Sequence, residues 1–154
     1  PVGISLFYPG LAHYDRLLGL PPLPLGGAAF GAGLLLAPVA LWLLVASSRM
    51  LARSAGGAPA FLLTSVVVSG RLYKRVRNPM SLGWYLALLS AGLLSGSTTV
   101  TLGSLFVLIP VHVFYLKYFE ERELEVRFGP SYLDYKRRVP FLIPGRVSPT
   151  KTAA

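Results

Sequence analysis

Two clusters in this chain carry residue types suited to chemistry at a membrane surface. The first is Arg71 to Trp84, RLYKRVRNPMSLGW, where Arg71, Lys74, Arg75 and Arg77 precede Asn78-Pro79 and an uncharged apolar run begins. Pro79 fits the first turn of a helix, where its missing N–H costs nothing. It also drives Asn78 towards an extended conformation. The second cluster is Glu120, Glu121, Glu123 and Glu125; between Arg16 and Phe119 there is no Asp or Glu at all. Cations, carboxylates and an irregular backbone beside lipid suit a zwitterionic polar cofactor that reacts with an amphiphile. Plainer accounts cover the same residues: a basic flank with a helix-starting proline, and, for Glu123 and Glu125, solvated helix charges near Arg122 and Arg127.

The elements that must position these clusters are membrane helices. The 154 residues are 53% hydrophobic and 14% charged, with mean hydropathy +0.58. Soluble domains carry about 25% charged residues. The net charge of +9 is distributed between long apolar runs and forms no surface suited to a duplex, so no nucleic-acid partner is expected. A membrane protein with a basic cytoplasmic face explains it better. The absence of cysteine excludes disulfides and thiolate chemistry. His13 and His112 are too few for a metal centre, and no P-loop, HExxH or GxSxG motif is present.

Pro1 to Leu20 reads as the trailing end of an earlier membrane helix with its exit loop, and Pro21 to Pro24 as a loop. The sequence predicts transmembrane helices over 26–48, 80–95 and 100–119, the last two forming a hairpin about the turn Gly96–Thr99, with a kink at Pro110. Gly27 and Gly31 have the spacing of a small-residue helix contact. Phe61 to Val68 reads as an apolar flap at the basic side of the membrane. Residues 120–144 form a cytosolic segment in which Ser131 caps a short helix that Val139-Pro140 ends, and 145–154 are a tail. The whole is read as one domain, 1–154, of an all-α polytopic membrane protein. Of the 15 Lys and Arg, only Arg16 lies on the side of the Pro21–Pro24 loop. The positive-inside rule makes the other side, with the C-terminus, cytoplasmic.

These pieces together resemble a known group. VRNPMSLGW followed by YFEERELEVRFGPSYLDYKRRVPFLIP is similar to the integral-membrane methyltransferases that include isoprenylcysteine carboxyl methyltransferases and phospholipid N-methyltransferases. The resemblance covers roughly Gly26 to Pro144. It rests on an R-[HN]-P motif that opens a hairpin, a Glu-Glu pair that closes it, then F-G-x-x-Y-x-x-Y and V-P, in that order. It implies S-adenosyl-L-methionine as the methyl donor. The implied cradle is Val67 and Val68 in the flap, Tyr73, Asn78, Pro79, Met80, Ser81 and Glu120, with Glu121 adjoining. Asn78-Pro79-Met80-Ser81 stands where carboxyl methyltransferases have His-Pro-x-Tyr. The Asn-Pro-Met form is similar to phospholipid methyltransferases.

The implied reaction is methyl transfer from the sulfonium to a lipid or lipidated small-molecule acceptor. Carboxylates would bind ribose hydroxyls or the ammonium group, Arg77 the methionyl carboxylate, and Tyr73 the sulfonium face. Arg77 or Arg138 would position a carboxylate acceptor; an amine acceptor would lose its proton to a Glu such as Glu121 or to water. His112, a polar residue within a membrane helix, reads either as a further functional candidate or as a hydrogen-bonding residue within the bundle. Two alternatives share these features: an NADPH-dependent membrane reductase of the sterol or steroid type, and a non-catalytic membrane relative. The sequence leaves the oligomeric state open.

Overall fold

The computed structural model describes residues 11–23, 26–54 and 72–144. The flap Phe61–Val68, with Val67 and Val68, lies outside these residues, as do Arg71 and the tail. Among the described residues the chain is helical and has no strand: α1 Leu11–Leu17, α2 Gly26–Ser54, α3 Pro79–Ser95, α4 Thr98–Phe128 and α5 Pro130–Arg138. α2 and α4 are long and apolar enough to cross a membrane, and α3 is a shorter apolar helix.

Burial follows the logic of a lipid solvent. Ser47, Ser90, Ser97, Ser104 and Glu121 are buried, whereas Leu35 is 75% exposed and Phe106 69%. In water that arrangement would sacrifice apolar burial. In a bilayer it is the favourable one, because polar groups must find partners inside the protein and small residues let helices approach. The protein is an all-α membrane protein.

The chain divides into two compact units, Pro1–Leu41 with Gly83–Phe114, and Trp42–Leu82 with Tyr115–Ala154. In the first, α3 and the start of α4 meet at Gly92, where a Cβ would stand 2.5 Å from Thr101 Oγ1 and 2.9 Å from its backbone nitrogen. Gly33 of α2 packs against Leu93 and Leu94 in the same way, and Ser90 Oγ donates to the Gly33 carbonyl at 2.8 Å. Gly27 and Gly31 do not form a helix contact among the described residues, none of which lies within 4 Å of a Cβ at either. A four-residue spacing puts two glycines on one face but does not say which face meets a neighbour. Gly96 turns the chain with φ +64, and Ser97 caps α4 by accepting from Val100 N at 3.2 Å. Asp15 of α1 reaches this cap. It accepts from Ser97 Oγ at 3.2 Å, Thr98 N at 3.2 Å and Thr99 N at 2.7 Å.

α4 continues through Pro110. A π turn at Ser104–Leu108, in which Ile109 N–H donates to Ser104 O, shifts the hydrogen-bond register just before the proline. A proline has no N–H to give and crowds the carbonyl four residues back, and π turns are one way a helix absorbs such a defect. The helix also runs past the expected exit at Phe119 as far as Phe128. Between α3 and α4, Tyr85 Oη and His112 Nδ1 share a hydrogen bond of 2.8 Å.

Candidate functional site

The second unit holds both clusters. Leu72 to Arg75 form a tight turn in which Arg75 N and Val76 N donate to Leu72 O at 2.9 and 3.0 Å. α3 then starts at Pro79, which is fully buried, and Asn78 O accepts the first helical bond from Leu82 N at 3.0 Å. The Asn78 side chain does not cap this helix. It donates instead to Phe141 O at 3.2 Å. Arg77 N donates to Pro140 O at 2.9 Å, and Tyr135 Oη to Tyr73 O at 2.7 Å. The Tyr73–Asn78 backbone is thereby tied to α5 and the residues after it.

α5 begins one residue before the expected cap. Pro130 occupies its first turn, Gly129 precedes it with φ +56, and no side chain caps it. Ser131 Oγ donates back to Phe128 O at 2.7 Å. Pro130 supplies a φ already suited to helix, so the capping reading of Ser131 gives way. The helix ends at Arg138 and Val139 is extended (φ −111, ψ 128), as a residue before proline should be.

A second π turn, Leu116–Glu120, lies immediately before Glu121, whose N–H donates to Leu116 O. Glu121 is buried and both carboxylate oxygens are occupied. Oε1 takes Arg77 Nη1, and Oε2 takes Lys136 Nζ at 2.8 Å. Lys136 also bonds Glu125 Oε1 at 2.7 Å, so the i,i+4 relation of Glu121 and Glu125 makes a two-carboxylate grip on one ammonium. These bonds hold the Lys136 ammonium above its ordinary pKa. Arg77 Cζ sits 5.5 Å and Lys117 Nζ 5.9 Å from the centre of the Phe141 ring.

Glu120 differs from its neighbour. It is half-buried and has no ion pair among the described residues. It lies close enough to Tyr73 to act on it: burial first, then the Glu120 carboxylate, push the Tyr73 phenol up to about 12. Burial likewise raises Tyr132 and Tyr135. Their rings stand 6.0 Å apart.

Tyr73, Arg77, Asn78, Pro79, Met80, Ser81, Glu120 and Glu121 thus all belong to this unit. Met80 Sδ accepts from Ser48 Oγ at 3.7 Å, and Ser81 is half-buried in the first turn of α3. Arg138 is exposed and bonds its own helix, Nε to Asp134 O at 3.2 Å. Lys136 was not singled out from sequence, and Tyr135 entered only as the last residue of the F-G-x-x-Y-x-x-Y pattern. Their signal was present: Tyr132 and Lys136 are i,i+4, which sets the lysine on the face of α5 that carries a buried tyrosine.

A sulfonium donor with an amino-acid tail asks for a carboxylate not already neutralised and for an aromatic face. Arg77 is committed to Glu121 through Nη1, and its buried Nε has no hydrogen-bond partner among the described residues.

Comparison with known proteins decides the family. The phospholipid methyltransferase family model matches residues 28–131. The chain belongs to the phospholipid methyltransferase family. The matched span includes Tyr73, the Asn78–Ser81 turn and the Glu120-Glu121 pair. A stretch of 75 residues is 39% identical to methanethiol S-methyltransferase 2 of Bradyrhizobium diazoefficiens. That stretch covers 47% of this chain and 27% of the relative's length. No solved structure matches this phospholipid methyltransferase family member.

Proposed function

We propose that the chain is an S-adenosyl-L-methionine-dependent methyltransferase acting on a lipid-like or otherwise hydrophobic acceptor at the cytoplasmic face of the membrane. The observation that carries the reading is the Glu120 carboxylate, without an ion pair among the described residues, near the half-buried Tyr73, within the stretch that matches the family. When bound, the donor supplies an electrophilic methyl group on sulfur. The protein's part is then orientation and exclusion of water rather than activation of the donor. Tyr73 offers its ring to positive charge, Glu120 accepts from hydroxyl or ammonium groups, and Asn78 to Ser81 line the turn between them. Val67 and Val68 complete the cradle in this reading.

Glu121 is committed to a buried network, one oxygen bonded by Arg77 and the other by Lys136. Proton removal from a neutral acceptor therefore falls to Glu120 or to water. Arg138, exposed at the end of α5, is placed for the head group of an acceptor in the bilayer. The concentration of basic residues in this unit supports a cytoplasmic orientation for it and for the C-terminus. Membership of a methyltransferase family favours methyl transfer over an NADPH-dependent reductase.

The likeness to a methanethiol S-methyltransferase supports a second reading of the acceptor, a small thiol. Transfer of labelled methyl from S-adenosylmethionine separates the readings. The acceptors are a total lipid extract, a chain-length series of amphiphiles below their micelle concentration, and methanethiol. A lipid-like acceptor predicts rates that rise with chain length, since each buried methylene contributes about 0.8 kcal/mol. Full activity on methanethiol alone would select the thiol. No transfer to any acceptor, with no donor binding, would defeat the methyltransferase reading.

A further inference from the structure

We propose that Lys136 is a positioning residue for the donor site: it locks α5 so that Tyr135, Pro140 and Phe141 brace the segment that carries Tyr73 and Asn78. The proposal rests on the donor reading above and assigns a residue which that reading does not use.

Lys136 bonds two carboxylates on successive turns of α4, Glu121 at 2.8 Å and Glu125 at 2.7 Å. Among the described residues these are the ion pairs between α5 and α4; the other pair on α5, Arg137 with Asp134, lies within the helix. This one ammonium therefore helps to set the rotation of α5 about its axis. That rotation matters because three hydrogen bonds leave the neighbourhood of Lys136 for the Tyr73–Asn78 segment. Tyr135 Oη reaches Tyr73 O, Pro140 O receives Arg77 N, and Phe141 O receives Asn78 Nδ2.

None of the three uses the Tyr73 phenol. Two of them fix backbone and the third holds the Asn78 side-chain amide, and so they leave the ring near Glu120. Without Lys136, Glu121 keeps Arg77 on Oε1 but its buried Oε2 loses its donor, a cost that favours movement of α5, the helix that lost its anchor. The displaced elements would be the ones that brace Tyr73 and Asn78. A charge-assisted bond of this kind is directional enough to set that position.

The test measures S-adenosylhomocysteine binding by titration calorimetry on the full chain in detergent, with donor kinetics alongside. Lys136→Met should raise Kd about tenfold, the equivalent of one lost charge-assisted bond. It should raise the donor KM similarly while kcat at saturating donor is kept. Lys136→Arg should restore most of the affinity, and Arg137→Gln, which removes a cation from the same helix, should leave it unchanged. Lys136→Gln retains an amide donor; it should fall between Met and Arg and serves if the Met variant does not fold. Wild-type affinity in both Met and Gln variants, an equal loss in Arg137→Gln, or a fall in kcat with KM unchanged would overturn the role. Failure of the wild-type chain to bind S-adenosylhomocysteine would instead remove the donor reading, and the proposal with it.

Discussion

Asp15 accepts the backbone N–H of Thr99 at 2.7 Å, across more than eighty residues of chain. The same carboxylate takes Thr98 N and Ser97 Oγ, so a side chain of α1 completes the cap of α4. An unsatisfied helix start buried in a membrane protein is costly. Asp15→Ala should destabilise the protein by about 1–2 kcal/mol. Asp15→Asn, which keeps one acceptor oxygen, should recover part of that. Thermal unfolding in detergent measures both, and an unchanged midpoint in the Ala variant would show that water replaces the carboxylate.

Glu121 should be the most damaging of the α4 carboxylates to remove. Its loss leaves Arg77, whose side chain is 10% exposed, as a buried cation without a counter-charge. Breaking one side of a buried pair costs about 3–5 kcal/mol. Glu121→Ala should therefore lower the unfolding midpoint far more than Glu123→Ala, whose residue is exposed. Comparable midpoints for the two variants would contradict the buried network.

Glu120→Ala should weaken donor binding much more than Glu125→Ala. Glu120 lies beside Tyr73, whereas Glu125 is spent on Lys136. Isothermal titration of the two variants with S-adenosylmethionine decides the matter, and equal affinities would count against Glu120 as a donor ligand.

Gly92→Ala should loosen the α3–α4 pairing. Its new Cβ would meet Thr101 backbone at 2.9 and 3.0 Å, and a backbone cannot swing aside as a side-chain tip can. Gly103→Ala has open space around it and should be neutral or slightly stabilising, since alanine favours helix by about 1 kcal/mol. Folded yield and melting temperature, measured on the pair, give the contrast. A Gly92→Ala variant as stable as Gly103→Ala would mean that the two helices can part without cost.

Much of this architecture was legible in the chain itself. Uninterrupted apolar runs specify membrane helices because only internally bonded backbone survives in lipid. Pro79 marks the start of α3 and Val139-Pro140 the end of α5, because proline restricts its own φ and the residue before it. The motif order around Asn78-Pro79 and Glu120-Glu121 led to the family.

Other features needed the tertiary structure. Sequence spacing could pair Gly27 with Gly31 but could not tell that Gly33 and Gly92 are the positions where helices meet. It put Glu120 and Glu121 side by side, the first as a donor ligand and the second as a proton acceptor, without a counter-charge for either. The fold separates them, because consecutive residues on a helix point in different directions and the π turn before them sets which way each goes. Glu121 turns to Arg77 and Lys136 and is consumed there, while Glu120, near Tyr73, pairs with no cation among the described residues. Local pattern determines where helices begin, end and cross lipid. Which charged side chain finds a counter-charge depends on residues distant in sequence, and only packing brings those together.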